Sequence, residues 1–202
     1  MSATVSEMVD TPHGPARVHL SPGERAAVVL GHGAGGGVGA PDLQAVAEAA
    51  AAAGCAVALV EQPYRVAGRR SPPRAPVLDA AWLAVVEHLR AGPLAGLALI
   101  AGGRSSGARV ACRTAADGGA AAVLCLAFPL QPPGGRANRQ DELDGVEVPA
   151  LVVQGERDPF GLPAARRGLK VVTVPGTHRL ANRGAVRAAV AAWLADLPTL
   201  RA

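Results

Sequence analysis

The chain has 202 residues, half of them hydrophobic, so it can bury the core of one domain and is not a disordered chain as a whole. The formal net charge is +4, but the arginines are scattered and only 2% of the residues are aromatic, which leaves few rings to stack on bases. We therefore predict a single domain over residues 1–202, with a solvated basic surface and no nucleic-acid partner.

The cysteines and the apolar runs favour a soluble, cytoplasmic protein. Cys55, Cys112 and Cys125 lie inside apolar runs at irregular spacing, which is typical of buried free thiols in a reducing compartment. Residues 1–10 contain no basic start followed by an apolar stretch, so we expect no signal peptide. The longest apolar region, residues 43–60, is mostly alanine and is interrupted by polar side chains, so we expect no membrane contact.

The first half of the chain is predicted to alternate strands and helices. Two short β-like runs open it, and the turn signal Thr11-Pro12-His13-Gly14 between them predicts a hairpin. Further on, continuous apolar runs predict buried strands, and apolar residues at helical spacing predict helices. In chain order these are strands at 4–9, 16–20 and 26–30, a helix from Pro41 to about Gly54, a strand at 55–60, a Pro- and Arg-rich loop at 62–76, and a helix around 78–89.

The second half continues the alternation. Strands are predicted at 97–101, 121–126, 150–153 and 170–174, with helices at 106–116 and about 186–197. Continuous apolar strands that alternate with helices are typical of an α/β fold with a mainly parallel sheet, here of about eight strands, with helices on both faces. In such sheets, functional residues collect in the loops at the carboxyl ends of the strands.

The segment Gly103-Arg104-Ser105-Ser106-Gly107 matches the G-x-S-x-G pattern of a nucleophile elbow. It directly follows a predicted strand and opens a predicted helix, and this context makes it more specific than the pattern alone. The strained turn would push the Ser105 hydroxyl out of the sheet, and the helix N-terminus behind it offers free N–H groups. The alternative is a Gly-Ser loop that merely starts a helix; we favour Ser105 as a nucleophile.

A glycine-rich loop, Gly31-His32-Gly33-Ala34-Gly35, follows the predicted strand at 26–30. Glycines let backbone N–H groups turn toward an oxyanion, so we predict an oxyanion hole formed by the N–H groups of Ala34 and Ser106. His32 is expected to hold the loop by a side-chain hydrogen bond. A flexible glycine loop is the alternative, whereas a phosphate-binding P-loop is excluded because no Gly-Lys-Ser/Thr follows.

Two candidate partners of Ser105 follow the last two predicted strands. Asp158 and then His178 give the chain order Ser, Asp, His, which is that of α/β-hydrolases. Glu156 remains the alternative acid because it lies at the same strand end. No His, Asp or Glu cluster has metal-ligand spacing, so we predict no metal and no cofactor.

These motifs make the chain resemble the α/β-hydrolase superfamily over nearly its whole length. Within it, the chain is similar to the small cap-less, dienelactone-hydrolase-like proteins, and to a branch that contains testis-expressed proteins and a chromatin acetyltransferase complex subunit. Dienelactone hydrolases use a cysteine nucleophile where this chain has Ser105, so their substrate is not implied. Branch members often carry Met and Gly after the serine, where this chain has Ser106 and Gly107. The stretches that carry the resemblance are 30–35, Pro63-Tyr64, 67–70, 102–105, 128–134 and 154–161.

The resemblance implies an α/β-hydrolase fold with no large cap, and together with the motifs it predicts a serine hydrolase of carboxylesterase type. We expect it to cleave a small-molecule acyl substrate, an ester or a thioester, through an acyl-enzyme intermediate. The segment at 130–148, where many relatives carry a lid, is short, so an open site is expected. The alternative is a non-catalytic interaction module on this scaffold, and either would be a monomer or a homodimer.

The Pro- and Arg-rich loop suggests a substrate group. Its arginines leave the sheet at a carboxyl end, on the same rim as Ser105, and guanidinium groups can donate two parallel hydrogen bonds to a carboxylate or phosphate. We therefore name Arg69 and Arg70 as candidate substrate-binding residues, with Arg104 and Arg157 beside the nucleophile and the acid. The alternative is ordinary solvated surface charge.

Overall fold

The structure, a computed structural model, describes residues 4–132, 135 and 138–200. An eight-stranded sheet with the order β1-β2-β4-β3-β5-β6-β7-β8 runs through its centre. The first two pairings, β1 with β2 and β2 with β4, are antiparallel, and the other five are parallel. The strands are β1 (Val5–Val9), β2 (Ala16–Ser21), β3 (Ala27–Gly31), β4 (Ala56–Glu61), β5 (Leu99–Arg104), β6 (Ala122–Leu126), β7 (Ala150–Gly155) and β8 (Leu169–Val174).

Helices cover both faces of this sheet because its central strands are apolar on both sides. In β3, Ala27 and Val29 belong to one core cluster, while Val28 and Leu30 belong to the other. The helices α1 and α6 pack on the second cluster, and α3, α4 and α5 pack on the first. The helices are α1 (Pro41–Ala52), α2 (Pro63–Val66), α3 (Ala75–Ala91), α4 (Ser106–Arg113), α5 (Gln140–Asp144) and α6 (Arg183–Asp196), followed by a 3-10 turn at Pro198–Leu200.

The predicted fold class, an α/β-hydrolase fold with a mainly parallel sheet of about eight strands and helices on both faces, is confirmed. Between β6 and β7 the described residues form only the short helix α5, so no large cap is present in that part of the chain. The segment at 130–148, which is predicted to be too short for a lid, is described only in part: residues 133, 134, 136 and 137 lie outside the described residues. None of the described helices is long and apolar enough to cross a membrane.

Several predicted boundaries were wrong, and β5 is the instructive case. The strand predicted at 97–101 begins at Leu99 and runs on through Gly102 and Gly103, which pair with Leu124 and Cys125 of β6. A Cβ atom on Gly102 would lie 2.5 Å from the Leu124 carbonyl oxygen, so glycine is needed there for strand packing and does not signal a loop. Similarly, the predicted loop at 62–76 contains α2, and the helix predicted at 106–116 already ends at Arg113.

Candidate active site

Ser105 lies in the turn between β5 and α4, at the carboxyl edge of the sheet. Its backbone has φ 51° and ψ −107°, a conformation that costs a non-glycine residue free energy and persists only where its surroundings enforce it. Two glycines permit the close packing that does so: a Cβ atom would lie 2.6 Å from the Gly31 carbonyl oxygen at Gly103, and 2.4 Å from it at Gly107. The Ser105 N–H donates to the Leu126 carbonyl at 2.9 Å. The turn is therefore held by three neighbouring strands.

The structure brings Ser105, His178 and Asp158 together. In the sequence, His178 lies 73 positions from Ser105 and 20 positions from Asp158. The Ser105 Oγ lies 3.0 Å from His178 Nε2, and His178 Nδ1 lies 2.9 Å from Asp158 Oδ2. Asp158 follows β7 and His178 follows β8, so both reach the edge at which β5 presents Ser105. These distances give a continuous relay in which a carboxylate orients the imidazole and the imidazole can accept the hydroxyl proton.

The side chain of Asp158 is buried, with only 1% of it exposed, and both of its carboxylate oxygens have partners. Besides contacting His178, its Oδ2 accepts a hydrogen bond from Gln154 Nε2 at 2.9 Å, and its Oδ1 accepts one from the Phe160 N–H at 2.9 Å. Gln154 is buried and also donates to two main-chain carbonyls of the surrounding loops. Glu156, the alternative acid, is exposed and has no contact with His178 among the described hydrogen bonds.

The loop that carries His178 packs closely against β7. A Cβ atom on Gly155 would lie 2.4 Å from the Thr177 carbonyl oxygen, so this position must be glycine for the loop to keep its path. The Phe160 ring lies against the imidazole, with the ring centroids 4.4 Å apart, and only 17% of the His178 side chain is exposed. Gln154 and Phe160 were not singled out as functional from the sequence; their signal was a polar and an aromatic residue beside Asp158.

The glycine-rich loop after β3, residues 31–35, is held by two buried side chains. His32 donates from Nδ1 to the Gly33 carbonyl at 2.8 Å, and its Nε2 accepts the Gln62 N–H at 3.1 Å. Burial lowers the pKa of His32, which keeps the imidazole neutral, as this pair of hydrogen bonds requires. The Tyr64 hydroxyl donates to the Ala34 carbonyl at 2.7 Å, and burial raises the pKa of Tyr64 to about 12. The expected structural role of His32 matches this geometry.

The predicted oxyanion donors are Ala34, in the glycine-rich loop, and Ser106, the residue after Ser105. Ser106 is the first residue of α4, where a helix N–H has no partner in its own helix. Within the described part of the chain, the N–H groups of Ala34 and Ser106 donate to no main-chain carbonyl in the turns and loops. Ser106 follows Ser105 directly, and Gly33, next to Ala34, packs close to Ser105, since a Cβ atom on Gly33 would lie 3.6 Å from Ser105 Cβ.

The arginines have different surroundings. Arg69 lines a cleft of about 220 Å³ with Gln62 and Tyr64, whereas Arg70 is exposed and does not line it. Neither side chain takes part in an ion pair among the described residues. Arg104 does not extend toward solvent as a substrate ligand would, because it forms an ion pair with the buried side chain of Asp42.

The three cysteines are buried free thiols. Cys112 Sγ and Cys125 Sγ lie 3.4 Å apart, and the pKa of the Cys125 thiol is raised by its hydrogen bond with Cys112 and by burial. Burial also raises the pKa of the Cys55 thiol. Such thiols are poor nucleophiles, so the cysteines do not compete with Ser105. Among the described residues, no group of three or more His, Cys, Asp or Glu side chains is arranged to hold a metal ion.

The geometry and the sequence match one family. Residues 24–181 match the model of the alpha/beta hydrolase domain, and the chain belongs to the alpha/beta hydrolase family. No curated protein sequence matches the chain.

Solved structures share this fold at low sequence identity. A lid-less α/β serine hydrolase from Xanthomonas campestris is 23% identical with a TM-score of 0.77, and 98% of each chain is covered. Est1E from Butyrivibrio proteoclasticus is 18% identical with a TM-score of 0.76, over 95% of this chain and 98% of that one. A dienelactone hydrolase from Anabaena variabilis is 19% identical with a TM-score of 0.73, over 96% and 97%. The fold therefore spans nearly the whole chain.

Proposed function

We propose that this protein is a serine hydrolase that cleaves a small ester or thioester through an acyl-enzyme intermediate. The observation that carries the proposal is the unbroken relay from Ser105 Oγ through the His178 imidazole to the buried Asp158 carboxylate, over 3.0 and 2.9 Å. A serine hydroxyl is a weak nucleophile unless an adjacent base removes its proton, and the 3.0 Å distance between Ser105 Oγ and His178 Nε2 supports His178 as that base.

The chemistry follows from the positions of these groups. Ser105 Oγ attacks the acyl carbon while His178 Nε2 takes its proton, and Asp158 stabilises the resulting imidazolium. The oxyanion accepts hydrogen bonds from the N–H groups of Ala34 and Ser106. His178 then protonates the leaving alcohol or thiol, and the acyl group remains on Ser105. A water molecule, deprotonated by His178, attacks the acyl-enzyme and releases the acid and the free serine.

The substrate we propose is small, because the described residues between β6 and β7 supply only α5 to cover the site. We also propose that an anionic group is favoured. Arg69 lines a cleft with Tyr64, whose hydroxyl contacts the glycine-rich loop, and has no carboxylate partner among the described ion pairs. A carboxylate-bearing ester should then have a higher kcat/KM than its neutral analogue, and Arg69→Ala with Arg70→Ala should remove the difference. Equal values for both esters in the wild type would assign these arginines to surface charge.

Covalent labelling tests the proposed function directly. A fluorophosphonate probe should label the wild type at Ser105, as located by peptide mass spectrometry, and should not label Ser105→Ala. Ser21→Ala, a serine change on β2 far along the sheet from Ser105, serves as the control and should be labelled like the wild type. The Ser105→Ala variant should also lose p-nitrophenyl acetate hydrolysis by several orders of magnitude while remaining folded. A folded wild type that neither labels nor turns over would favour the interaction module.

A further inference from the structure

One arginine side chain joins three parts of the site. Arg104, the last residue of β5, donates from Nε to Asp42 Oδ2 at 2.8 Å and from Nη2 to the His178 carbonyl at 3.0 Å. Its Nη1 lies close under the glycine-rich loop, since a Cβ atom on Gly33 would be only 2.8 Å from it. The guanidinium therefore contacts helix α1, the loop that carries the proposed base, and the loop that carries an oxyanion donor.

The partner of Arg104 is buried to an extent that requires this pairing. Only 1% of the Asp42 side chain is exposed, against 19% for Arg104, and the second carboxylate oxygen accepts the Leu43 N–H at 2.9 Å. Burial raises the pKa of Asp42, and the charge of Arg104 opposes this rise. Leaving such a carboxylate unpaired is strongly destabilising, so Asp42 in turn fixes where the guanidinium lies.

The contact with His178 is not redundant. Among the described residues, the bond from Arg104 is the only main-chain hydrogen bond that His178 itself makes, as neither its N–H nor its carbonyl has another partner there. The segment around His178 is an irregular turn in which Gly176 and Leu180 have positive φ. Its other main-chain bonds hold Gly176, to the Arg157 N–H, and Thr177, to the Leu180 N–H, but not His178 itself. A planar guanidinium donates to two acceptors through N–H groups fixed in one plane, whereas the N–H groups of an ammonium rotate and do not fix the relative positions of its acceptors.

We propose that Arg104, fixed by Asp42, is a positioning residue for His178. It holds the main chain of His178 so that the imidazole stays within reach of Ser105, and it fixes the position of His178 relative to the glycine-rich loop. The inference rests on the proposed hydrolase function. It differs from a purely structural role, in which the pair only attaches α1 to the end of β5 and its loss lowers stability alone.

The chain offers a matched control for that structural role. Arg109 on α4 also forms a partly buried, two-bond pair, from Nε to Glu142 Oε2 at 2.9 Å and from Nη2 to Glu142 Oε1 at 2.5 Å. This pair attaches α5 to α4 and does not touch the His178 loop. Arg104→Lys and Arg109→Lys each keep the positive charge and lose the planar set of N–H donors. The two variants therefore make the same chemical change at different places in the fold.

The experiment compares the two lysine variants with the wild type in kcat, KM, urea unfolding and NMR. We expect Arg104→Lys to lower kcat roughly 10- to 100-fold with little change in KM, as for a small misplacement of a reacting group, and Arg109→Lys to stay within about twofold. The NMR signal of the proton on His178 Nδ1 is assigned because it is missing from the spectrum of His178→Gln. This signal should broaden in Arg104→Lys and not in Arg109→Lys. Added guanidinium or ethylguanidinium should partly restore kcat in Arg104→Ala, but should not raise kcat in Arg109→Ala.

Equal kcat and equal Nδ1 proton line widths in the two lysine variants would overturn the positioning role, whatever their loss in unfolding free energy. The NMR signal also separates this inference from the proposed function. If the wild type does not label or turn over, the hydrolase proposal fails, and the line width of the Nδ1 proton still decides whether Arg104 positions His178.

Discussion

The two sides of Ser105 are held by different chemistry. On the oxyanion side, the two side chains that form hydrogen bonds with the glycine-rich loop are uncharged: the neutral imidazole of His32 and the hydroxyl of Tyr64. On the acid–base side, ionic groups hold the site, namely Asp158 against His178 and Arg104 against Asp42. The difference follows where charge develops in the proposed reaction. A carboxylate stabilises the imidazolium on one side, whereas a fixed anion on the other would oppose the oxyanion.

The largest expected effect comes from the acid–base side. Asp158→Asn keeps the shape but exchanges an acceptor for a donor toward His178 Nδ1, which favours the wrong tautomer. Because the same change in a Ser-His-Asp triad lowers kcat by about 10⁴-fold, we expect a loss of that order here. Glu156→Gln, a carboxylate-to-amide change on an exposed residue two positions away, should leave kcat within about twofold of the wild type, since surface changes have small effects. Steady-state ester hydrolysis measures both, and the reverse ranking would move the acid to Glu156.

A second prediction displaces the loop that carries His178 by a steric clash. Gly155→Ala places a Cβ atom 2.4 Å from the Thr177 carbonyl oxygen and 2.7 Å from its carbon, so the loop that carries His178 must shift. We expect about a 10²-fold loss of kcat together with a lower unfolding midpoint. Gly37→Ala adds the same methyl group where no atom lies within 4 Å, and should change neither quantity appreciably. Unaltered kcat in Gly155→Ala would show that the loop tolerates displacement.

A third prediction tests the uncharged side through pH. Burial lowers the pKa of His32 below its ordinary 6.5, so as pH falls the unfolded state takes up a proton before the folded state does. Stability contributed by neutral His32 is therefore present above about pH 6.5 and is lost as pH falls below it. Asp42 has the opposite sign: its raised pKa makes the folded state bind a proton first, which favours folding as pH falls toward the ordinary carboxylate value.

The variant His32→Asn isolates this effect. It should unfold at lower urea than the wild type at pH 7.5, and should lose less further stability between pH 7.5 and about 5.5 because the titrating group is gone. Urea titrations at both pH values give the unfolding free energies. A drop with pH that is the same in the variant and the wild type would assign the acid sensitivity to other groups.

The sequence was informative wherever one local pattern contains the whole signal. The elbow around Ser105 combines a strand, a short motif and a helix within neighbouring residues, and the ends of β7 and β8 could be located from their apolar runs. The ion pair of Arg104 could not be found in this way, because Asp42 lies 62 residues away. Their meeting depends on the strand order β4-β3-β5, in which β5 pairs with β3 and not with β4, the strand that precedes it in the chain. No local pattern encodes that order.

Arg69 and Arg70 illustrate the same limit from the other direction. By sequence alone the two are equivalent, since both belong to one basic loop, but only Arg69 lines the cleft beside Tyr64. The distinction depends on how the residues after α2 turn back on themselves: the Arg69 N–H donates to the Tyr64 carbonyl at 2.8 Å, and Gly68 has a positive φ of 74°. Side-chain direction in such a turn follows from backbone angles that composition does not specify.

The smallest expected effect concerns Tyr64. Tyr64→Phe removes only the hydroxyl that donates to the Ala34 carbonyl at 2.7 Å, and it leaves the edge-on ring contact with His32, whose centroid is 5.7 Å away. A single hydrogen bond contributes about 1 kcal/mol net, so we expect a loss of roughly three- to tenfold in kcat and a similarly small loss of unfolding free energy.

The division of that loss between kcat and KM decides what Tyr64 does. If it orients the peptide that follows the Ala34 donor, the loss should fall on kcat, because an oxyanion exists only beyond the ground state. Tyr64 also lines the cleft with Arg69, so it has a second available role in substrate binding. A raised KM with unchanged kcat would assign it to that role, and would leave His32 as the side chain that holds the uncharged side of the site.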